Sequence, residues 1–183
     1  MHFQIEKTTP EILKKAKKYF PTDYQKKLSD QSLVTRFLVA QEVEKIWGKK
    51  NFLPKFKPNE TPEFDLQKKI YFSISHKKNF VAIIVAQKKI GIDLEIVKIR
   101  DENLWNIFTE NEWKILVERH WLNFYFLWTA KEALIKKLEL NLDFMKKIFL
   151  ITKNKNLLNL EFEKKKFVVK IFQKQNLVWA ITK

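Results

Sequence analysis

Ile90-Gly91-Ile92-Asp93-Leu94-Glu95 alternates apolar with other residues, which predicts a β-strand whose successive side chains point to opposite faces. Asp93 and Glu95 therefore share one face, two residues apart, while Ile90, Ile92, Leu94 and Ile96 share the other. Gly91 is one of only two glycines in 183 residues, and an isolated glycine in a strand marks a bulge or the close approach of another backbone. Further on, Trp128-Thr129-Ala130-Lys131-Glu132-Ala133-Leu134-Ile135-Lys136 predicts a helix with Glu132 and Lys136 four apart on one face. The ordinary reading of Asp-x-Glu is the solvated side of an edge strand. The ordinary reading of Glu132 with Lys136 is a surface ion pair contributing about 0.2–0.5 kcal/mol. This helix, however, is apolar around the pair (Phe124, Phe126, Leu127, Trp128, Ala130, Ala133), so the charges emerge at an interface or cleft rim and need a partner or a metal there. Asp93, Glu95 and Glu132 together would offer hard oxygen ligands. Such a set suits Mg²⁺, with Mn²⁺ as the alternative, and does not suit a structural zinc.

Outward from the first stretch, Ile70 to Ile74 and Phe80 to Ala86 are also β-rich, and Val81-Ala82-Ile83-Ile84-Val85-Ala86 is apolar on both faces like a central strand. Upstream, Glu11 to Phe20 predicts a short lysine-rich helix closed by Pro21. A second helix is predicted over Tyr24 to Trp47, stopped by Gly48. Asn51 to Glu63, with Pro54, Pro58 and Pro62, reads as a surface loop. Downstream, Asp101 to Lys137 is helical in two or three pieces, and Thr109-Glu110-Asn111-Glu112 has the form of a capping box that explains Thr109 and Glu112 without catalysis. Four β-rich runs follow: Ile148 to Thr152, Leu157 to Phe162, Phe167 to Phe172 and Leu177 to Thr182. Helices then strands, twice over, predict an α+β fold of two similar halves, 1–98 and 99–183, with Asp93 and Glu95 in a three-stranded sheet of the first.

Composition narrows the function classes. A hydrophobic fraction of 45% with 16 Phe and 6 Trp builds a core rather than a disordered chain. A formal charge of +15 points to anionic partners, although Lys is scattered along the chain as in a lysine-rich proteome. Without Cys there is no disulfide, thiolate zinc site or thiol nucleophile. Met1 to Pro10 lacks a cationic start followed by an apolar run, and Asn123 and Lys131 interrupt the most apolar stretch. No secretory signal and no membrane span are therefore expected, and a cytoplasmic protein is the expectation. His76 is one of three histidines; between Ser75 and the pair Lys77, Lys78 it reads as an anion cradle at a strand end, against the commoner structural histidine.

In order along the chain, Phe72-Ser73-Ile74-Ser75-His76, then Ile90 to Glu95, then Phe108-Thr109 with Glu112, then Trp128 to Lys136 resemble the signatures of 4′-phosphopantetheinyl transferases. The surfactin-synthetase-activating (Sfp) type is the nearer match, and the resemblance is clear over residues 70 to 138. It implies transfer of the phosphopantetheine arm of coenzyme A to a serine of an acyl or peptidyl carrier protein, with release of adenosine 3′,5′-bisphosphate. It implies Asp93, Glu95 and Glu132 as magnesium ligands and Ser75 and His76 at the adenosine 3′-phosphate. Lys136 would face the pyrophosphate, with Lys131 beside it on the cofactor side. Glu132, or a water held by the metal and a carboxylate, would act as base, so that Glu132, Lys136 and Asp93 carry the chemistry. It further implies a monomeric pseudo-dimer with the site at the junction of its halves, and an acidic carrier helix steered by the excess of Lys.

Two departures lie at the nucleotide end. Where the family often shows Asn-Gly-Lys-Pro, this chain reads Asn59-Glu60-Thr61-Pro62, leaving Lys55, Lys57 or Lys68 to substitute; where Arg-Ser or Arg-Thr often opens the second helix, it reads Gln31-Ser32. A non-catalytic relative that binds coenzyme A or a carrier is thus the first alternative. A basic nucleic-acid-binding domain is the second, but it expects exposed aromatics on a basic sheet, whereas Phe124, Tyr125 and Trp128 fall at core spacing on a helix, so no nucleic-acid partner is expected.

Overall fold

The computed structural model describes residues 2–26, 28–48, 50 and 70–183; the loop 51–63, the Asn59 to Pro62 departure and Lys55, Lys57 and Lys68 lie outside the described residues. The chain forms two compact units, Met1–Lys89 and Ile90–Lys183.

The first unit begins with a strand, β1 (His2–Lys7), in which only Phe3 and Ile5 alternate with polar residues, a pattern too short to stand out in the sequence. Helix α1 (Pro10–Tyr19) follows, with Thr9 as N-cap accepting from Ile12 N and proline in the first turn, where its missing N–H costs nothing. The single helix expected over Tyr24 to Trp47 is two. A short α2 (Thr22–Gln25) is separated from α3 (Asp30–Trp47) because Ser29 is itself an N-cap, its hydroxyl accepting from Ser32 N at 3.2 Å. Gly48 ends α3 in the left-handed conformation (φ 68°) that glycine adopts without strain. Strands β2 (Tyr71–Lys77) and β3 (Phe80–Ala86) complete an antiparallel sheet of order β1-β3-β2. Val81, Ile83 and Val85 on one face of β3 pack with Leu33, Phe37 and Leu38 of α3 in the unit's core. The buried Glu42 of α3 joins this core to β1 by accepting from Gln4 Nε2 at 2.6 Å and pairing with Lys45 at 2.7 Å.

The second unit also begins with a strand, β4 (Ile92–Ile96), and continues through a 3₁₀ turn (Glu102–Ile107), helices α4 (Glu110–Leu116) and α5 (Trp121–Leu138), and a second 3₁₀ turn (Leu142–Lys147). Four strands follow: β5 (Phe149–Asn154), β6 (Leu157–Phe162), β7 (Lys165–Lys174) and β8 (Leu177–Thr182). They form an antiparallel sheet of order β4-β8-β7-β6-β5, with α5 against β8 and β4. The Asp93–Glu95 strand therefore does not complete the sheet of the first half, as the sequence reading had it. It pairs with the last strand, Asp93 opposite Ala180 and Glu95 opposite Val178, and the division falls after Lys89 instead of near residue 98. A strand's partner is a tertiary choice that its own alternation does not encode. The two units share an order of connection: a strand, then helices, then antiparallel strands of which the last pairs with the first. Among the described residues no helix is long and apolar enough to cross a membrane.

Candidate metal centre

The centre is built by β4 and α5, both in the second unit. Residues directly opposite on paired strands share a face, so Asp93 and Glu95 point with Ala180 and Val178 to the side that α5 covers. Helix α5 starts where His120 Nδ1 accepts from Leu122 N, and ends at Glu139 in the left-handed conformation. It comes unusually near β4, since a Cβ built on Gly91 would lie 1.8 Å from the carbonyl oxygen of Ala133 and 2.9 Å from Lys137 N. The reading of Gly91 as a point of close backbone approach is thereby met. Thr182 fixes the same glycine from the other side: its hydroxyl accepts from Gly91 N at 2.9 Å, and its N–H donates to Gly91 O at 3.0 Å.

This approach brings one oxygen each of Asp93, Glu95 and Glu132 to within 4.8 Å of one another. Asp93 and Glu95 are 2% and 8% exposed and Glu132 is half-buried. At that range two carboxylates repel by about 3 kcal/mol in an effective dielectric near 20, so the cluster favours cationic company. Lys136, one turn beyond Glu132, supplies one charge by donating to Asp93 Oδ1 at 2.7 Å. All three ligand groups are hard oxygen donors, and Asp93 Oδ2 and Glu95 Oε2 are buried oxygens that receive no hydrogen bond although both residues have other partners. The donor set fits Mg²⁺ or Mn²⁺.

Lys131 does not stand on the cofactor side. Its ammonium is enclosed, 1% exposed, 2.7 Å from Glu112 Oε1 and 4.8 Å from the centre of the Phe108 ring. Burial lowers its pKa, and the facing Glu112 carboxylate only partly offsets that. Glu112 closes the capping box with Thr109 and also accepts from Leu150 N at 3.0 Å, so the pair ties α4, α5 and β5 together. A capping glutamate was legible at position 112. Its buried partner nineteen residues later was not, because Lys131 carries no local signature beyond helical spacing.

Ser75 and His76 lie on β2 of the first unit, where Ser75 is buried and His76 exposed, opposite Ala82 and Val81. As strand neighbours they point to opposite faces, so within the unit they do not form a joint cradle. Gln31 opens α3 and donates to Lys78 O at 2.7 Å, a contact across the first unit. The aromatics Phe124 and Tyr125, each 3% exposed, belong to the core of the second unit, and Phe124 stacks on Trp128 with ring centres 5.8 Å apart.

Residues 89–182, just over half of the chain, match the family model of the 4′-phosphopantetheinyl transferase superfamily. No curated protein matches the sequence. The chain belongs to the 4′-phosphopantetheinyl transferase superfamily, and the match covers the unit that holds all three carboxylates.

Proposed function

We propose that this member of the superfamily moves the phosphopantetheine arm of coenzyme A onto a serine of an acyl or peptidyl carrier protein, releasing adenosine 3′,5′-bisphosphate. The observation that carries the reading is the convergence of Asp93, Glu95 and Glu132, drawn from β4 and α5, inside the matched segment. These three would hold Mg²⁺ or Mn²⁺, which when bound supplies charge neutralisation at the pyrophosphate. The half-buried Glu132 would take the proton of the incoming serine hydroxyl, directly or through one water, as the serine oxygen forms its bond to phosphorus and the bisphosphate leaves. Lys136, 31% exposed at the side chain, is reachable by the pyrophosphate while it holds Asp93. Of the two residues assigned to the 3′-phosphate, the exposed His76 remains our assignment, while Ser75 is buried on the opposite face of β2. We read the chain as the two-halved, monomeric Sfp type, supported by the shared order of connection in the two units. The excess of Lys, +15 in net charge, suits an acidic carrier.

The test mixes the protein, coenzyme A, Mg²⁺ and an apo carrier protein, and weighs the intact carrier. A mass gain of one phosphopantetheine group is expected, and its loss in chelator. A carrier of unchanged mass across acyl and peptidyl carriers would overturn the assignment in favour of a binding relative.

A further inference from the structure

We propose that the buried pair of Lys131 and Glu112 is a positioning device for Glu132: it sets the rotation of α5 that carries the Glu132 carboxylate to Asp93 and Glu95. The proposal rests on the reading of those three as metal ligands. Apolar packing alone selects that rotation poorly. Burial is non-directional, and the buried residues of α5, among them Leu127, Ala130, Ala133, Leu134 and Ile135, are spread around most of its circumference. A charged, hydrogen-bonded pair is directional. Lys131 Nζ lies 2.7 Å from Glu112 Oε1 and donates to Met145 O at 3.4 Å, with its side chain 1% exposed. Glu112 is itself held, accepting from Thr109 N at 2.9 Å and from Leu150 N at 3.0 Å, which fixes it to the start of α4 and to β5.

Glu132 stands between this tether and a second one. The next residue, Ala133, meets β4 at the point where a Cβ on Gly91 would collide with its carbonyl oxygen. The two neighbours of Glu132 thus bind α5 to α4 and β5 on one flank and to β4 on the other, which pins the helix against turning about its axis. The tolerance is small. A side-chain group stands ~6 Å from a helix axis, so a turn of ~20° moves it by about 2 Å, whereas metal–ligand distances hold within about 0.2 Å. Releasing the first tether should therefore weaken the grip on a metal even where the fold survives.

The experiment compares wild type with the double variant Lys131→Met/Glu112→Gln, which removes both charges, strands neither, and keeps an amide oxygen to accept at the cap of α4. The control is Leu158→Ala, in the same core but on β6, three strands from β4. Free Mn²⁺ is followed by electron paramagnetic resonance without coenzyme A or carrier, and melting is recorded in chelator. The double variant is expected to melt close to wild type yet bind Mn²⁺ about tenfold more weakly. Leu158→Ala is expected to melt lower and bind Mn²⁺ as wild type does. Glu112→Asp, which keeps both charges and shortens the acid by one methylene, is expected to fall between wild type and the double variant in Mn²⁺ affinity. Wild-type Mn²⁺ affinity in the double variant overturns the positioning role, as does an equal weakening in Leu158→Ala. Should the double variant not fold, wild-type affinity in Glu112→Asp overturns it instead. Wild type that binds no Mn²⁺ removes the ligand reading and this proposal together, whereas wild type that binds Mn²⁺ but modifies no carrier removes the proposed reaction and leaves the positioning role standing.

Discussion

Helix α5 carries two lysines that each meet a carboxylate at 2.7 Å, and the surroundings make them different devices. Lys131 and Glu112 are 1% and 2% exposed and enclosed by Phe108, the Met145 carbonyl and the start of β5. Lys136 reaches the buried Asp93 from a position 31% exposed. Neither charge of the first pair has anywhere to go, so losing one strands the other away from water. In the second pair only the acid is enclosed, and the lysine can exchange its partner for solvent or an anion. Separation alone does not tell a fastener from a working contact; the exposure of the cationic end does.

The sharpest way to break this contrast is Lys131→Met, expected to cost about 3–5 kcal/mol of folding stability by leaving Glu112 buried and uncompensated. Denaturant unfolding measures it, and a cost below about 1 kcal/mol would show that the pair is not sealed. Next comes Asp93→Asn. It removes a proposed ligand while Lys136 turns to water, so stability should hold within about 1 kcal/mol while carrier modification falls by about 10²–10³-fold. Comparable loss of stability and of transfer would place Asp93 among the fasteners.

A smaller effect is expected from Gly91→Ala, whose methyl would lie 1.8 Å from Ala133 O and push β4 away from α5. About 1–3 kcal/mol of stability should be lost, together with Mn²⁺ affinity in calorimetric titration. Unchanged Mn²⁺ binding would mean that the carboxylates tolerate a wider gap. The smallest effect sharpens the comparison by pH. Burial lowers the Lys131 pKa below its ordinary 10.5, so between the two values the unfolded chain binds the extra proton and this residue makes stability rise with pH. The stability difference between wild type and Lys131→Met should therefore grow across that alkaline window; a flat difference in urea unfolding would contradict the burial-driven shift.

Much of the centre was readable from local pattern. The alternation of Ile90 to Glu95 put Asp93 and Glu95 on one face, the rarity of glycine singled out Gly91, and helical spacing set Glu132 beside Lys136. Pairing and enclosure were not readable. The strand bearing Asp93 and Glu95 was expected in the first sheet, yet β8 is its neighbour, a choice made by sheet edges and not by its own residues. Strand β1 escaped notice because His2 to Lys7 is mostly exposed and polar, its place fixed by β3 and by Glu42 accepting from Gln4. The hairpin turn at Glu163-Lys164 has positive φ at both residues without a glycine to announce it. The place of Lys131 was unreadable for a related reason: a lysine next to a candidate metal-binding glutamate looks functional until a distant acid is found beneath it.

Pairing Ile92 with Ile181 gives the centre a history as well as a shape. During synthesis the strand with the two acids leaves the ribosome long before the one that must lie beside it, and meanwhile its backbone edge stands open to other chains. Because closing so long a loop precedes any reward from the contacts it makes, the face bearing Asp93 and Glu95 should be among the last parts of the chain to settle. Nascent chains halted before residues 177–182 should then bind no Mn²⁺ and should aggregate through β4.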